Sequence, residues 1–346
     1  SIVQKKNNNE MPELQKQIAL EEMNSVLRKY NLRKKSVNEI LNSGKIKVLL
    51  LPDVENWAFD NIVKSIIKYN PVPEKIIYEI MYTRNIKRKK TIIDLEDWDF
   101  IFVMFEGETY FPNAKNVIRG CYSSYWIENT SFSTRSIAET FSKCGGAIYA
   151  NKYLKESLGK YLPTNYMGKI IHDSSDENLF FPINGVKNKE FTAIFVGNTS
   201  RKIKNYQDIV WACNEAGVKL ITCESTPYRE LVNYYNKADI CVNFSDFEGG
   251  PQTFIEASLC GVPMLIRDNN ELSKILPSFK VSSKKELLGK LEELKLNRNA
   301  CKEVGEKARK VAIEKFIYKK TAREFSSFFI NASKMDNKMD ETKWMK

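Results

Sequence analysis

Short apolar runs separated by polar turns and amphipathic stretches extend over most of the chain. Runs of strand length begin at Ile46, Phe100, Phe191 and Asp239, and each ends in a polar turn. Stretches with the apolar spacing of helices lie between them. Because strands of a parallel sheet are buried on both faces, they appear as continuous apolar runs with helical segments between them. The pattern therefore predicts an α/β protein.

The clearest chemistry lies between Ala238 and Asp268. A predicted strand runs into the loop 245–251, which contains two glycines and a proline, and a helix is predicted over 253–260. A helix N-terminus beside a glycine-rich loop offers free backbone N–H groups to an anion such as a diphosphate. Glu248 and Glu256 add carboxylates, which accept hydrogen bonds from sugar hydroxyls. The stretch predicts a ligand with phosphates and diols; an ordinary crossover with two solvated glutamates is the alternative.

A second anion-binding pattern begins at Gly197. A strand runs into this glycine, and the basic residues Arg201 and Lys204 follow before the next predicted helix. Glycine admits a phosphate closely, and the two cations would neutralise it. A solvated basic loop is the alternative interpretation.

The residues after the predicted strand at Asp239 resemble the signature of glycosyltransferase family 4. The matching positions are Ser245, Glu248, Gly249, Pro251, Glu256, Ala257, Gly261 and Pro263, and Gly197, Lys204 and Asn205 match the family's phosphate-binding segment. The resemblance implies a GT-B fold, with two facing doubly wound, Rossmann-like α/β domains and a cleft between them. It also implies transfer of a sugar, with retention, from a nucleoside-diphosphate sugar to a hydroxyl acceptor, without a metal or other cofactor.

The resemblance also assigns roles to residues. Lys204 would stabilise the leaving diphosphate, and Glu248 would contact the donor sugar. The basic residue that the family carries next to the glycine is Asn198 here, and we expect Arg201 to replace it. The donor-binding set comprises Gly197, Asn198, Gly249, Gly250, Pro251, Gln252, Thr253 and Glu256, with Glu256 on the ribose. On the acceptor side we name Asn56, Trp57, Arg119, Tyr122 and His172. Asp97 and Asp99 precede a strand, where ligands do not collect, so we interpret them as a turn and predict no metal site.

The segment 170–182 resembles the family's interdomain connector, and this places the domain boundaries. We expect a helical N-terminal extension over 1–44 and an acceptor-side domain over 45–175. A nucleotide-sugar domain would follow over 176–318, and a crossover helix and tail over 319–346.

The composition of the chain indicates where in the cell the protein is expected. The chain has 54 basic and 43 acidic residues, a net charge of +11, and no apolar run of membrane-spanning length or apolar N-terminal signal. Seven dispersed cysteines are typical of buried thiols in a reducing compartment. We therefore expect a cytoplasmic protein, peripheral at the inner membrane surface if its charge meets anionic lipid.

Other functions stay open. Solvated lysines in a lysine-rich protein, an anionic membrane and a nucleic acid acceptor are competing explanations of the charge. A nucleotide-sugar epimerase and a non-catalytic module that binds nucleotide sugars are rival functions on the same fold. The nucleotide, the acceptor and the oligomeric state are not predicted.

Overall fold

The computed structural model describes residues 44–55, 58–83, 95–104, 113–123, 134–246, 248, 250–269 and 271–343, with side chains through residue 334. Residues 1–43 of the predicted N-terminal extension, Asn56, Trp57 and Gly249 lie outside the described residues. In the described part, the strands form one six-stranded and one five-stranded sheet, and all pairings between neighbouring strands are parallel. The predicted fold class, α/β with two parallel sheets, is confirmed.

The first sheet has the strand order β2-β1-β3-β4-β5-β6. Its strands are β1 (Ile46–Leu51), β2 (Ile76–Ile80), β3 (Phe100–Val103), β4 (Val117–Cys121), β5 (Gly146–Tyr149) and β6 (Gly168–Ile170). The helices that accompany it are α1 (Ala58–Lys68), α2 (Thr134–Ser142) and α3 (Lys152–Gly159). The chain order reverses between β1 and β3, which makes this the topological switch point of the sheet.

The second sheet has the strand order β11-β10-β9-β7-β8. Its strands are β7 (Thr192–Val196), β8 (Lys219–Cys223), β9 (Ile240–Asn243), β10 (Met264–Arg267) and β11 (Ser278–Val281). Its helices are α4 (Tyr206–Glu215), α5 (Leu231–Lys237), α6 (Gln252–Leu259), α7 (Lys284–Leu296) and α8 (Arg298–Lys315). The switch point here lies between β7 and β9.

Each sheet is buried under its own helices. In the first, Leu50, Phe102 and Ile118 are completely buried beneath α1 and its neighbours. In the second, α6 packs so closely on the sheet that all residues from Phe254 to Leu259 are buried. Gly305 of α8 lets that helix approach the turn after α6, because a Cβ there would lie 2.1 Å from the carbonyl oxygen of Gly261. The helix at the predicted anion site is therefore rigidly seated.

The last helix, α9 (Tyr318–Lys343), leaves the second sheet and packs on the first. Phe325 and Phe329 enter the core of the first sheet, and the hydroxyls of Ser326 and Tyr78 lie 3.0 Å apart. The start of α9 also pairs with the connector between the sheets: Ser175 N donates to Phe316 O (3.0 Å), and Tyr318 N donates to Ser175 O (3.2 Å). The connector and the start of α9, the two segments that pass between the sheets, therefore run side by side.

Several elements differ from the sequence predictions. Arg119 was expected on the acceptor side of the cleft, but it lies inside the first sheet, because β4 continues to Cys121. The short edge strands β6 and β11 were not predicted. Asp97 does end a turn before β3, a single 3-10 turn over Leu95–Asp97. The pattern failed where a strand is short or where a charged residue interrupts its apolar run.

The expectations on the cysteines and on membrane-spanning segments can also be compared with the structure. All seven cysteines are buried and free of disulfide bonds. In the part of the chain that the structure describes, none of the helices combines the length and apolar character needed to span a bilayer.

Candidate active site

The candidate site lies at the switch point of the second sheet. β7 pairs with β9 through Ile194 and Cys241, while β8 lies on the other side of β7. Helices that follow two such strands leave on opposite faces of the sheet, so a crevice opens at the strands' carboxyl ends. The loops after β7 and after β9 border that crevice, and these loops contain the predicted donor residues.

Gly197 turns the chain out of β7. Its φ of +149° lies in a region that residues with a Cβ rarely adopt, and its N–H donates to Cys223 O of β8 (3.0 Å). Asn198 next to it is exposed, and its side-chain oxygen accepts from Ser200 N (2.8 Å). The glycine keeps the backbone surface open at this turn, and Asn198 stabilises the loop itself.

Asn205 joins the two loops. It adopts a left-handed conformation (φ 49°, ψ 38°), which costs about 1 kcal/mol for a residue with a Cβ. Its side-chain nitrogen donates to Phe244 O (3.1 Å) and to Asp246 Oδ1 (2.8 Å), and Asp246 N donates to Ile203 O (2.9 Å). These bonds offset the strain and fix the loop after β7 against the loop after β9.

Lys204 and Glu248 form an ion pair across the crevice. Asn243, the last residue of β9, donates to the same oxygen, Glu248 Oε1 (3.2 Å). The two charged side chains are only 15% and 14% exposed, so water screens this pair less than a surface pair. The structure thus brings a predicted phosphate-binding cation and a predicted sugar-binding carboxylate into direct contact.

The N-terminus of α6 faces the same crevice. The helix begins at Gln252, after Pro251, and no side chain caps it among the described residues. The first backbone N–H groups of a helix have no partner within the helix, and they carry partial positive charge. Gly250 and Thr253 flank this end, so the predicted donor residues from 250 to 253 do lie together.

Glu256 lies deeper in α6 and is only 2% exposed. Tyr235 of α5 donates a hydrogen bond to Glu256 Oε2 (2.8 Å). Burial raises the pKa of the Glu256 carboxyl to about 7, and the bond from Tyr235 partly opposes that rise. Glu256 is therefore a buried carboxyl that changes charge close to neutral pH.

A second carboxyl with a raised pKa lies in the connector. Burial raises the pKa of Asp173 to about 7. Its Oδ2 is 3.7 Å from the position that a Cβ on Gly250 would occupy, so it lies against the loop after β9. Asp173 was in the connector sequence but received no predicted role.

The remaining predicted residues are more scattered. Arg201 is exposed, one residue before the 3-10 turn Lys202–Lys204. His172 in the connector donates from Nδ1 to Ala150 O (2.8 Å), which leaves its Nε2 as an acceptor in the neutral ring.

Two of the predicted acceptor-side residues are buried. Arg119 is 0% exposed and donates to Asn113 (3.0 Å), and the ring of Tyr122 packs 5.1 Å from that of Phe59. The structure does not bring Arg119 or Tyr122 to an open surface, so contact with an acceptor would require them to move.

Sequence reasoning missed Asn243, Tyr235 and Asp173. Asn243 had a usable signal, because a polar residue at the carboxyl end of an apolar strand at a switch point faces the ligand crevice. Tyr235 and Asp173 had none, because their contacts with α6 and with Gly250 join distant parts of the chain. Among the described residues, no group of three His, Cys, Asp or Glu side chains is arranged to hold a metal ion.

Comparisons with known proteins agree with this geometry. A family model described as "Glycosyl transferase-like" matches residues 186–327, which contain both loops of the crevice. No curated protein matches the chain.

Several solved structures share the architecture. Sucrose-phosphate synthase from Thermosynechococcus elongatus superposes with a TM-score of 0.67 at 10% identity, over 83% of this chain and 99% of that one. HepE from Anabaena, in complex with UDP-glucose, gives a TM-score of 0.64 at 10% identity, over 82% and 99%. A glycosyltransferase from Rickettsia africae gives 0.60 at 13% identity, over 84% and 99%. At such identities the likeness shows the fold, and the fold is of the GT-B type.

Proposed function

We propose that this chain is a retaining glycosyltransferase of the family 4 type, which moves a sugar from a nucleoside-diphosphate sugar to a hydroxyl acceptor. The observation that carries the proposal is the Lys204–Glu248 pair beside the uncapped N-terminus of α6. The site offers positive charge and backbone N–H groups for a diphosphate, and a carboxylate for sugar hydroxyls. The match of residues 186–327 to a glycosyltransferase-like family model supports the same function.

Charge on the leaving diphosphate grows as the bond to the sugar breaks, so groups aimed at that charge lower the barrier. In this proposal Lys204, Arg201 and the first N–H groups of α6 supply that stabilisation. Lys204 exchanges Glu248 for the phosphate when the donor binds, and Glu248 turns to the sugar hydroxyls. The ion pair keeps both groups in place before the donor arrives.

In this proposal the Glu256 carboxylate accepts a hydrogen bond from a ribose hydroxyl of the donor. A hydroxyl that donates to its carboxylate would favour the ionised form, as the hydrogen bond from Tyr235 already does. The leaving phosphate accepts the proton of the acceptor hydroxyl, so no separate base is required. Because side chains and N–H groups supply the positive charge, we propose that transfer needs no metal.

A uridine nucleotide is the first donor to test. The HepE structures contain UDP-glucose, UDP with glucose, or UDP alone, and this chain shares their fold. The acceptor is a hydroxyl compound, and a nucleic acid acceptor is the alternative that the positive charge supports.

Thermal unfolding with a panel of nucleoside diphosphates and their sugars, with and without EDTA, tests the proposal. A ligand at about 100 times its dissociation constant adds roughly 2.7 kcal/mol to the free energy of unfolding. We expect one nucleotide family to stabilise the protein equally in both buffers. Stabilisation that EDTA abolishes would contradict metal independence, and no stabilisation by any nucleotide would contradict donor binding.

Retention of the anomeric configuration is tested by a separate measurement. Proton NMR of the sugar released during slow donor hydrolysis, recorded before mutarotation, reports the anomeric configuration. We expect the configuration of the donor, and the opposite configuration would contradict retention. Formation of an isomerised nucleotide sugar without any transfer or hydrolysis would favour the epimerase.

A further inference from the structure

The connector between the sheets passes directly beneath the donor loop. Asp173 lies against Gly250, with its Oδ2 3.7 Å from the position of a Cβ on that glycine. The next residue, Ser174, accepts a hydrogen bond through its carbonyl from the side chain of Gln252 in α6 (3.5 Å). A carboxyl from outside the second sheet therefore borders the same crevice as Lys204 and Glu248.

The Asp173 carboxyl lacks the partners that a buried carboxyl normally has. Its Oδ1 is buried and makes no hydrogen bond in the described part of the chain. Lys204, the cation that the structure places in the crevice, is already paired with Glu248. An unpartnered buried carboxylate lowers the stability of a folded protein, because it has lost its hydration without gaining hydrogen bonds. A ligand that donates hydrogen bonds to it would remove that penalty.

The chemistry of the group selects the kind of ligand. A carboxylate repels a phosphate but accepts hydrogen bonds from hydroxyls. Gly250 carries no side chain, and the position of a Cβ on it lies 3.7 Å from Asp173 Oδ2. Asp173 Oδ1 is buried in the free protein, so a ligand hydroxyl reaches it by displacing the backbone around Gly250. Glu248 has one oxygen, Oε1, occupied by Lys204 and Asn243, whereas Asp173 Oδ1 is unoccupied.

We infer that Asp173 is a sugar-binding residue, whose Oδ1 accepts a hydrogen bond from a hydroxyl of the donor's sugar. The inference rests on the proposed function, and it adds a contact from the connector to a donor site otherwise built by the second domain. The nucleotide and diphosphate do not use this contact. Asp173 therefore contributes to the affinity difference between a nucleotide sugar and its free nucleotide.

The test is calorimetric titration of UDP and of UDP-glucose into the wild type, Asp173→Ala, Asp173→Asn and Asp176→Asn. Asp176→Asn is the matched control, because it makes the same change three residues along the connector, where Asp176 Oδ1 accepts from Asn178 N (3.0 Å). We expect Asp173→Ala to keep its affinity for UDP and to lose about tenfold or more for UDP-glucose, the usual worth of a hydrogen bond to a charged group. Asp173→Asn should lose less, because its amide oxygen still accepts.

Thermal unfolding of the same variants without ligand separates binding from folding. Asp173→Asn should be at least as stable as the wild type, because it removes an unpartnered buried carboxyl. An equal loss of affinity for both ligands, or a large drop in stability, would assign Asp173 a structural role and overturn the inference.

Two further results would also overturn the inference, and they are distinguishable from each other. If the wild type binds UDP-glucose no more tightly than UDP, or if Asp173→Ala binds both ligands like the wild type, no sugar contact is made at Asp173 and the proposed function still stands. If the wild type binds neither ligand, and no other nucleotide, the proposed donor site fails and the inference fails with it.

Discussion

The two sheets have the same switch-point architecture, but their predicted site residues are placed differently. In the second sheet, the loops after β7 and β9 bring Lys204 and Glu248 into contact and are joined by Asn205. In the first sheet, the predicted acceptor-side residues Arg119 and Tyr122 are buried in the core. The difference teaches that a shared sheet architecture does not by itself turn polar side chains toward a ligand, because the local packing of each residue decides whether it is buried or faces the crevice.

A physical reason for the difference follows from the proposed reaction. All nucleoside-diphosphate-sugar donors share a diphosphate and hydroxyls, so one set of cations, N–H groups and carboxylates serves them. Acceptors share only the hydroxyl that receives the sugar. The burial of Arg119 and Tyr122, the predicted acceptor-side residues of the first sheet that the structure describes, is consistent with that variety.

The largest effect should come from Lys204→Ala. The lysine is the predicted phosphate-binding cation that the structure pairs with Glu248 in the crevice, and removing one group that stabilises a developing charge typically lowers turnover by about 100- to 1,000-fold. Lys202→Ala is the matched control, because Lys202 lies in the same 3-10 turn but is exposed. Initial rates of donor hydrolysis measure both. Equal rates for the two variants would remove Lys204 from the site.

Glu256→Gln should change how stability depends on pH. The carboxyl has a folded-state pKa of about 7 and a usual value of 4.5, so the folded protein holds a proton that the unfolded chain releases between these values. The contribution of this group to the free energy of unfolding therefore falls as pH rises from about 4.5 to 7, by on the order of 3 kcal/mol. Glu256→Gln removes that fall.

Urea unfolding of the wild type and Glu256→Gln at pH 5 and pH 8 measures the change. Glu303→Gln is the control, because Glu303 is exposed on α8. We expect Glu256→Gln to gain stability over the wild type at pH 8 relative to pH 5. Parallel losses for all three proteins would show that Glu256 is not a buried titrating group.

Arg119→Met should destabilise the fold and leave nucleotide binding unchanged. The guanidinium is completely buried, and its loss leaves Asn113 without that donor, which costs about 1–3 kcal/mol. Urea unfolding and UDP titration check the two halves of the prediction. Unchanged stability with a raised KM for the acceptor would contradict the structural role and support the prediction that Arg119 contacts the acceptor.

The smallest effect should come from Tyr78→Phe. It removes the hydrogen bond between the first sheet and Ser326 of α9, but Ser326 keeps its bond to Asn70 (3.3 Å). We expect a loss of about 1 kcal/mol in urea unfolding and no change in donor binding. A loss of donor binding would show that the contact between α9 and the first sheet controls the cleft.

The sequence predicted the second sheet better than the first. The strand, glycine-rich loop and helix from Asp239 onward were visible because an apolar run, turn residues and a helical period follow one another locally. The edge strands β6 and β11 were missed because each has only three or four residues and mixes polar with apolar side chains.

Site contacts were predictable only where the residue type alone indicates its chemistry. Lys204 and Glu248 were named from charge and spacing, and the structure shows them paired. The burial of Arg119 was not predictable, because a charged residue next to apolar ones is normally expected at a surface. The approach of Asp173 to Gly250 depends on how the connector folds under the second sheet, which no local pattern contains.

The most direct test of the account is a crystal structure with the nucleoside diphosphate that stabilises the protein most. We expect the diphosphate in the crevice between the loops after β7 and β9, in contact with Lys204 and the first N–H groups of α6, with the Lys204–Glu248 pair opened. A diphosphate bound elsewhere, with that pair intact, would contradict it.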